Sequence, residues 1–403
     1  MRRNHLFLYD RPVNNAYCEV LLDNVVYNLN EIRGRLPGNM PIMAVIKDLS
    51  YGCGGYLIAK TMEEERIRFF CVARTPEAKV LRAAGIWSPI LVMGQSTLEE
   101  YAWGAENNIL FSLNDLHTAR LWAHGSFPVR FHCNIDTGMN RLGVSPNEIG
   151  ELLAIVQANP NLTFEGIFTH FSSADRVNTK TVFLQLDVFR SVCSAVSSSG
   201  ILLKHFHFSN SAALARFKFS NCTLVRPGIL LYGCNPDPAQ DFGFSLESIV
   251  SLKAAVVRTK IVPAGTPISY GGNYVTDRHT CIATIPIGYA HGLPRLLSNK
   301  GYVLIKGKRY PIVGNVTMDY VIVDIGLSAQ INVGDEAVAI GRQGYECISP
   351  DEIALKCNTI GYEVLCRLST AIERYYLRKN TTIFHQKSFL FDANVPLNLA
   401  VVP

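Results

Sequence analysis

The chain has no Cys-x-x-Cys pair, although eleven cysteines lie scattered from Cys18 to Cys366. An odd, unclustered set offers neither a zinc-ligand spacing nor a disulfide framework, so no metal site is expected and reduced thiols of a cytoplasmic protein are. Long apolar runs are missing as well. None approaches the ~18 residues that a membrane helix needs. The apolar stretch near the N-terminus stops at Asp10, too short for the hydrophobic region of an export signal, and the chain reads as unexported. It also lacks a basic block: the net charge of +5 comes from dispersed Lys and Arg. That excess suits small anionic ligands and supplies no nucleic-acid-binding arm. Internal repeats and low-complexity segments are absent too.

What is there is the composition of a soluble globular protein, 48% hydrophobic and 18% charged over 403 residues. That length accommodates a barrel and a second unit. Eight short apolar runs fall in about the first 240 residues: 42–47, 69–73, 90–93, 109–113, 129–135, 164–169, 205–209 and 224–226. Between them lie helix-like stretches such as 57–65, 76–84, 145–158 and 180–197. The last has Val182, Phe183, Leu186, Val188, Phe189, Val192 and Val196 close to a helical period. Eight strands, each followed by helical material, predict a (β/α)8 TIM barrel over residues 1–243. Strand-like runs at 250–261, 280–287, 302–305, 310–313, 320–324 and 336–340 then predict a mainly β C-terminal domain over residues 244–385. Its turns are marked by Pro263-Ala264-Gly265, Gly271-Gly272-Asn273 and Val333-Gly334-Asp335. A short helix near 350–358 interrupts it, strands from Val364 close it, and residues 386–403 read as an irregular tail.

Chemistry gathers at the predicted strand ends, where barrel enzymes place their functional side chains. The run Pro41-Ile42-Met43-Ala44-Val45-Ile46 leads into Lys47, followed by Tyr51-Gly52-Cys53-Gly54. A lysine buried there would lose its charge readily and become a nucleophile for a carbonyl. The glycine turn would let a hydroxyl and backbone amides approach a phosphate. Further along stand Asp136 to Arg141, Thr169-His170, His207 to Ser211 and Arg226-Pro227-Gly228-Ile229. Singly, each has an ordinary reading: a core histidine, a salt-bridging arginine, a turn. Together they suit a ligand with an aldehyde, an aromatic ring and a phosphate.

On these residues the sequence resembles the alanine racemase family, pyridoxal-phosphate enzymes with a barrel and a β domain. The resemblance runs from about Tyr17 to Tyr376. It is carried by Ala44-Val45-Ile46-Lys47, Tyr51-Gly52-x-Gly54, Asp136-Thr137-Gly138-Met139-Asn140-Arg141-Leu142-Gly143, Gly166 to Phe171, and Asn210-Ser211-Ala212-Ala213. Arg226-Pro227-Gly228-Ile229, Ser269-Tyr270-Gly271, Ile285 to Ala290, Val316-Thr317-Met318-Asp319 and Gly361-Tyr362-Glu363 continue it. The resemblance implies that Lys47 holds pyridoxal 5'-phosphate covalently and, once freed, serves as one catalytic base. Tyr270 would serve as the other, on the opposite face of the substrate's α-carbon. A single base would tend to return the proton to the face it left. Because a free tyrosine titrates near ~10, Tyr270 needs activation by its neighbours. Tyr51, Ser211, Tyr362 and the amides of Gly228 and Ile229 would hold the phosphate. Arg226 would face the ring nitrogen, His207 would orient Arg226, and His170 would lie near Tyr270. Arg141 and the Met318 amide would bind the substrate carboxylate. With Lys47 on the barrel and Tyr270 and Met318 on the β domain, the family pattern implies a head-to-tail homodimer with shared sites.

The resemblance implies alanine racemisation, supplying D-alanine for peptidoglycan. A racemase of serine or of broad specificity is the near alternative, although Tyr362 favours a small substrate. A decarboxylase of similar architecture would place an acidic residue where Arg226 stands. A non-catalytic pyridoxal-phosphate-binding protein would lack a counterpart of Tyr270. Three positions depart from the family pattern. Cys53 stands where histidine is usual, and His291 where aspartate is. Asn134 replaces a carbamylated lysine that positions the arginine, so either its amide takes over that task or a bound anion does.

Overall fold

Residues 15–218 and 221–387 are described by the structure, a computed structural model. The chain enters through β1 (Tyr17–Leu21) and the helix Leu22–Arg33. It then runs through β2 (Met43–Val45), β3 (Phe69–Val72), β4 (Ile90–Val92), β5 (Ile109–Leu113), β6 (Val129–Asn134), β7 (Leu162–Phe168) and β8 (His205–His207). These last seven strands pair in that order, all parallel, with helices between them. Near-continuous apolar runs are what a parallel sheet covered on both faces demands. The predicted eighth strand is reduced to residues 224–227, which close the barrel by isolated bridges. Val225 pairs with Ile42 and Arg226 with Asn210. Met43 and Val45 donate to the carbonyls of Val225 and Pro227 at 2.9 and 3.0 Å, and Arg226 donates to Ser209 at 2.8 Å.

Helix starts follow their caps. Thr97 caps Leu98–Glu106, with Glu100 reaching back to the Thr97 amide. Asp115 caps Leu116–Ala123, and Ser349 caps Pro350–Cys357. The helix Lys180–Ser198 buries Val182, Leu186, Phe189, Val192 and Val196 along one face, while Phe183 and Val188 of the same apolar set are exposed.

The second unit is mainly β, and three of its details differ from the sequence reading. β1, grouped with the barrel by its position in the chain, is paired into the second unit's sheet. It lies antiparallel to β9 (Val250–Ala255) and parallel to Glu373–Arg378. The single strand expected at 250–261 is two, β9 and β10 (Arg258–Val262), which enter different sheets. The amides of Val256 and Val257 bond to Asp335 and Thr284 respectively, so the chain switches sheets between them. Residues from Val364 do not start a strand: Gly361–Cys366 is a helix, and the closing strands are Glu373–Arg378 and Thr381–Gln386. Gln386 belongs to that last strand, and most of the predicted tail (388–403) lies outside the described residues. Among the described residues no helix is long and apolar enough to cross a membrane.

Candidate active site

Lys47 follows β2 at the barrel mouth, but it is not buried as its apolar lead-in suggested. Its side chain is 34% exposed, with Nζ 4.0 Å from Asp48 Oδ2. The four residues after it all take left-handed backbone angles: Asp48, Leu49, Ser50 and Tyr51 have φ from 52° to 56°. Such a run costs roughly 1–2 kcal/mol per non-glycine residue, so the surroundings must hold it. Glu77 does much of this by accepting the Asp48 amide on one oxygen and the Ala73 and Arg74 amides on the other. Arg74 bonds Asp48 Oδ1 at 3.1 Å. The turn ends at Gly52 (φ 76°), where a Cβ would meet the Leu365 carbonyl at 2.4 Å. Tyr51 is thereby packed against Tyr232 and Tyr362, ring centroids 4.7 and 5.9 Å away. Cys53, the first departure, is fully buried, and burial pushes its thiol well above the usual range. It packs as a neutral side chain.

Across the mouth, Arg226 is buried and donates only to acceptors. Its Nη1 lies 2.7 Å from His207 Nδ1 and 2.8 Å from the His207 carbonyl, and its Nη2 lies 2.8 Å from the Thr169 carbonyl. Burial without a carboxylate partner lowers its pKa to about 10, which still leaves it charged at neutral pH. His207 is held well below the usual imidazole range by burial and by Arg226, and is neutral. His170 is pushed down to about 3 by burial and by the charges of Arg226, Arg141 and Lys47. Gln185, on the long helix, ties the His170 carbonyl to Thr137, donating to each at 3.1 Å.

Ser211, Tyr51, Gly228 and Ile229 meet beside this arginine. The Gly228 amide donates to Ser211 Oγ at 2.9 Å, and a Cβ on Gly228 would lie 2.4 Å from Tyr51 Oη. Hydroxyls and amides thus converge where only glycine fits. That donor set, with an amine for an aldehyde and a cation for a ring nitrogen, fits pyridoxal phosphate.

Lys47, Asn134, Asp136, Arg141, Thr169 and His170 line a cavity of about 170 Å³. Asp136 Oδ1 accepts the amides of Gly138 and Asn140, which shapes the loop carrying Arg141. Asn134 Nδ2 donates to Asn114 Oδ1 and to the Leu142 carbonyl, each at 3.0 Å. Its amide therefore holds the backbone next to Arg141. At the third departure, His291 Nδ1 accepts the Gly288 amide at 3.0 Å, a task a carboxylate could also perform.

Two predicted site residues are not brought to Lys47 within one chain. Tyr270 is 76% exposed and Met318 54%, and neither lines the cavity. Sequence reasoning missed Glu77, Asn114 and His132. Of these only His132 carried a signal, since it alternates with Asn134 along β6 and therefore points to the same side.

A parallel barrel with a lysine and a buried arginine at its mouth, joined to a mainly β unit, defines a barrel-plus-β protein with its candidate site at the barrel mouth. Comparison with known proteins names the family. The alanine racemase N-terminal domain matches residues 20–236 and the alanine racemase C-terminal domain residues 249–376. The chain is 38% identical over 373 residues to an alanine racemase of Halothermothrix orenii, covering 92% of this chain and 98% of that one. It is 39% identical to alanine racemase 2 of Bacillus subtilis, covering 90% and 95%. The crystal structure of alanine racemase from Bacillus anthracis with bound L-Ala-P superposes with a TM-score of 0.84 at 35% identity, covering 94% of this chain and 98% of that one. That from a D-cycloserine-producing Streptomyces lavendulae gives 0.85 at 32%, covering 92% and 98%. The chain belongs to the alanine racemase family.

Proposed function

We propose that this protein is an alanine racemase, a pyridoxal-phosphate-dependent isomerase that interconverts L- and D-alanine at a site completed by a second copy of the chain. The observation that carries the reading is Arg226, a buried cation whose bonded partners are two carbonyls and an imidazole nitrogen, none a carboxylate. When bound, pyridoxal phosphate supplies the electron sink that makes the substrate's α-proton removable. Arg226 opposes protonation of the ring nitrogen and so keeps that sink weak, which favours returning the proton over other fates. Tyr51, Ser211, Tyr362 and the amides of Gly228 and Ile229 hold the phosphate. Lys47 anchors the ring and moves a proton on one face of the α-carbon, while Tyr270 of the partner subunit moves one on the other. Arg141 and the amide of Met318 from the partner subunit orient the substrate carboxylate, and Tyr362 limits side-chain size. His170, held neutral by burial and the surrounding cations, sits beside Tyr270 as an uncharged ring.

The exposure of Tyr270 and Met318 supports the shared site, because a base left in solvent has no substrate to act on. So does the size of the cavity, well below the ~300–1,000 Å³ of a complete small-molecule site. The cysteines, all free, suit a reducing cytoplasm. The test is optical. With pyridoxal phosphate and L-alanine, rotation should decay faster than with L-serine or L-lysine, and Lys47→Ala should abolish the decay. Persistent rotation with alanine, in protein that has bound the cofactor, would refute the reading.

A further inference from the structure

Behind Arg226 the barrel interior holds a second imidazole. His207 Nε2 lies 2.7 Å from His132 Nδ1, and both rings are fully buried. A bond between two ring nitrogens needs one proton, and its position is set from the far end. Arg226 has only donors, so His207 Nδ1 must accept, and the neutral His207 keeps its proton on Nε2. That proton is donated to His132 Nδ1, which leaves the His132 proton on Nε2. His132 Nε2 is a buried atom without a partner among the described residues. An orphaned buried donor is costly, but the other tautomer of His132 would set two N–H groups against each other at 2.7 Å. The ring also has a space built for it: a Cβ on Gly166 would lie 2.9 Å from His132 Cδ2 and Nε2.

We infer that His132 is a positioning residue: by accepting the Nε2 proton of His207 it holds that ring in register behind Arg226, whose donors set the tautomer. Its catalytic consequence rests on the racemase reading, but the tautomer itself does not. The experiment is ¹⁵N NMR of histidine-labelled, cofactor-bound protein near neutral pH, with turnover measured on the same samples. In the unaltered chain His207 Nδ1 should carry no proton and Nε2 should carry one. His132→Leu should leave the tautomer in place, move the His207 Nε2 resonance to that of a proton without an acceptor, and lower kcat about tenfold at nearly constant KM. His132→Gln, which keeps an acceptor, should restore both. A proton on Nδ1 of His207 in the unaltered chain would overturn the inference, and so would an unchanged Nε2 resonance or an unchanged kcat in His132→Leu. Should the leucine chain not fold, a ¹⁵N–¹⁵N coupling between His207 Nε2 and His132 Nδ1 in the unaltered chain decides: its presence supports the inference and its absence overturns it. The expected tautomer in a protein that racemises nothing would remove the proposed function and leave this inference standing.

Discussion

The Glu77 carboxylate grips the backbone on both sides of Lys47's turn. One oxygen accepts the Asp48 amide, and the other accepts Ala73 and Arg74 at 2.9 and 2.8 Å. The carboxylate therefore couples the end of β2 to the end of β3. It also offsets part of the cost of four consecutive left-handed residues.

Removing it should release that strain and leave three amides without their acceptor. Glu77→Ala is expected to lower stability by about 1–3 kcal/mol and kcat by about tenfold, since a lysine displaced by an ångström works poorly. Thermal melting and steady-state assay check this. An unchanged kcat would mean that the turn holds itself.

Asn134 links Asn114 to the carbonyl beside Arg141, so its effect should fall on substrate binding. Asn134→Ala is expected to raise KM for alanine about fivefold, close to the ~1 kcal/mol of one hydrogen bond, with a smaller change in kcat. A fall in kcat at constant KM would assign Asn134 a different task.

The histidines give stability a defined pH dependence. His132, His170 and His207 are each held below the ordinary imidazole value of about 6.5, first by burial. The folded chain keeps them neutral while the unfolded chain takes up protons. Their contribution is therefore complete above about pH 6.5 and is lost as pH falls, continuing for His170 towards its folded value near 3. Between about pH 7 and 5, before most carboxylates titrate, the melting temperature should fall, and His170→Asn should make the fall shallower. A flat profile in that window would show that the rings take up no extra protons on unfolding.

The parts of the fold legible in sequence are those with local signals. Apolar runs marked the barrel strands, and the period of 180–197 marked its long helix. Partnership was not legible: nothing in Tyr-Cys-Glu-Val-Leu says that β1 pairs with strands more than two hundred residues away. Nor did Asp48-Leu49-Ser50-Tyr51 announce left-handed geometry, because only Gly52 carries that preference. The same division holds for the site. Lys47, Arg226 and Gly228 stood out as residue types in a pattern, whereas Glu77 and Asn114 act through backbone amides and amide pairs that only folding brings together. The exposure of Lys47 was misjudged because an apolar strand predicts burial for its own residues and not for the side chain just past its end.

The central claim is that each site draws Lys47 from one chain and Tyr270 from another. Lys47→Ala and Tyr270→Phe chains should each be nearly inactive when pure. Mixed after dissociation and allowed to reassemble, they should recover activity towards about a quarter of the unaltered enzyme. Half the dimers would then be hybrids, and one site in each hybrid would be intact. Mixtures that stay as inactive as their components, despite hybrid formation shown by mass, would contradict the shared site. Full racemisation by Tyr270→Phe alone would contradict the second base.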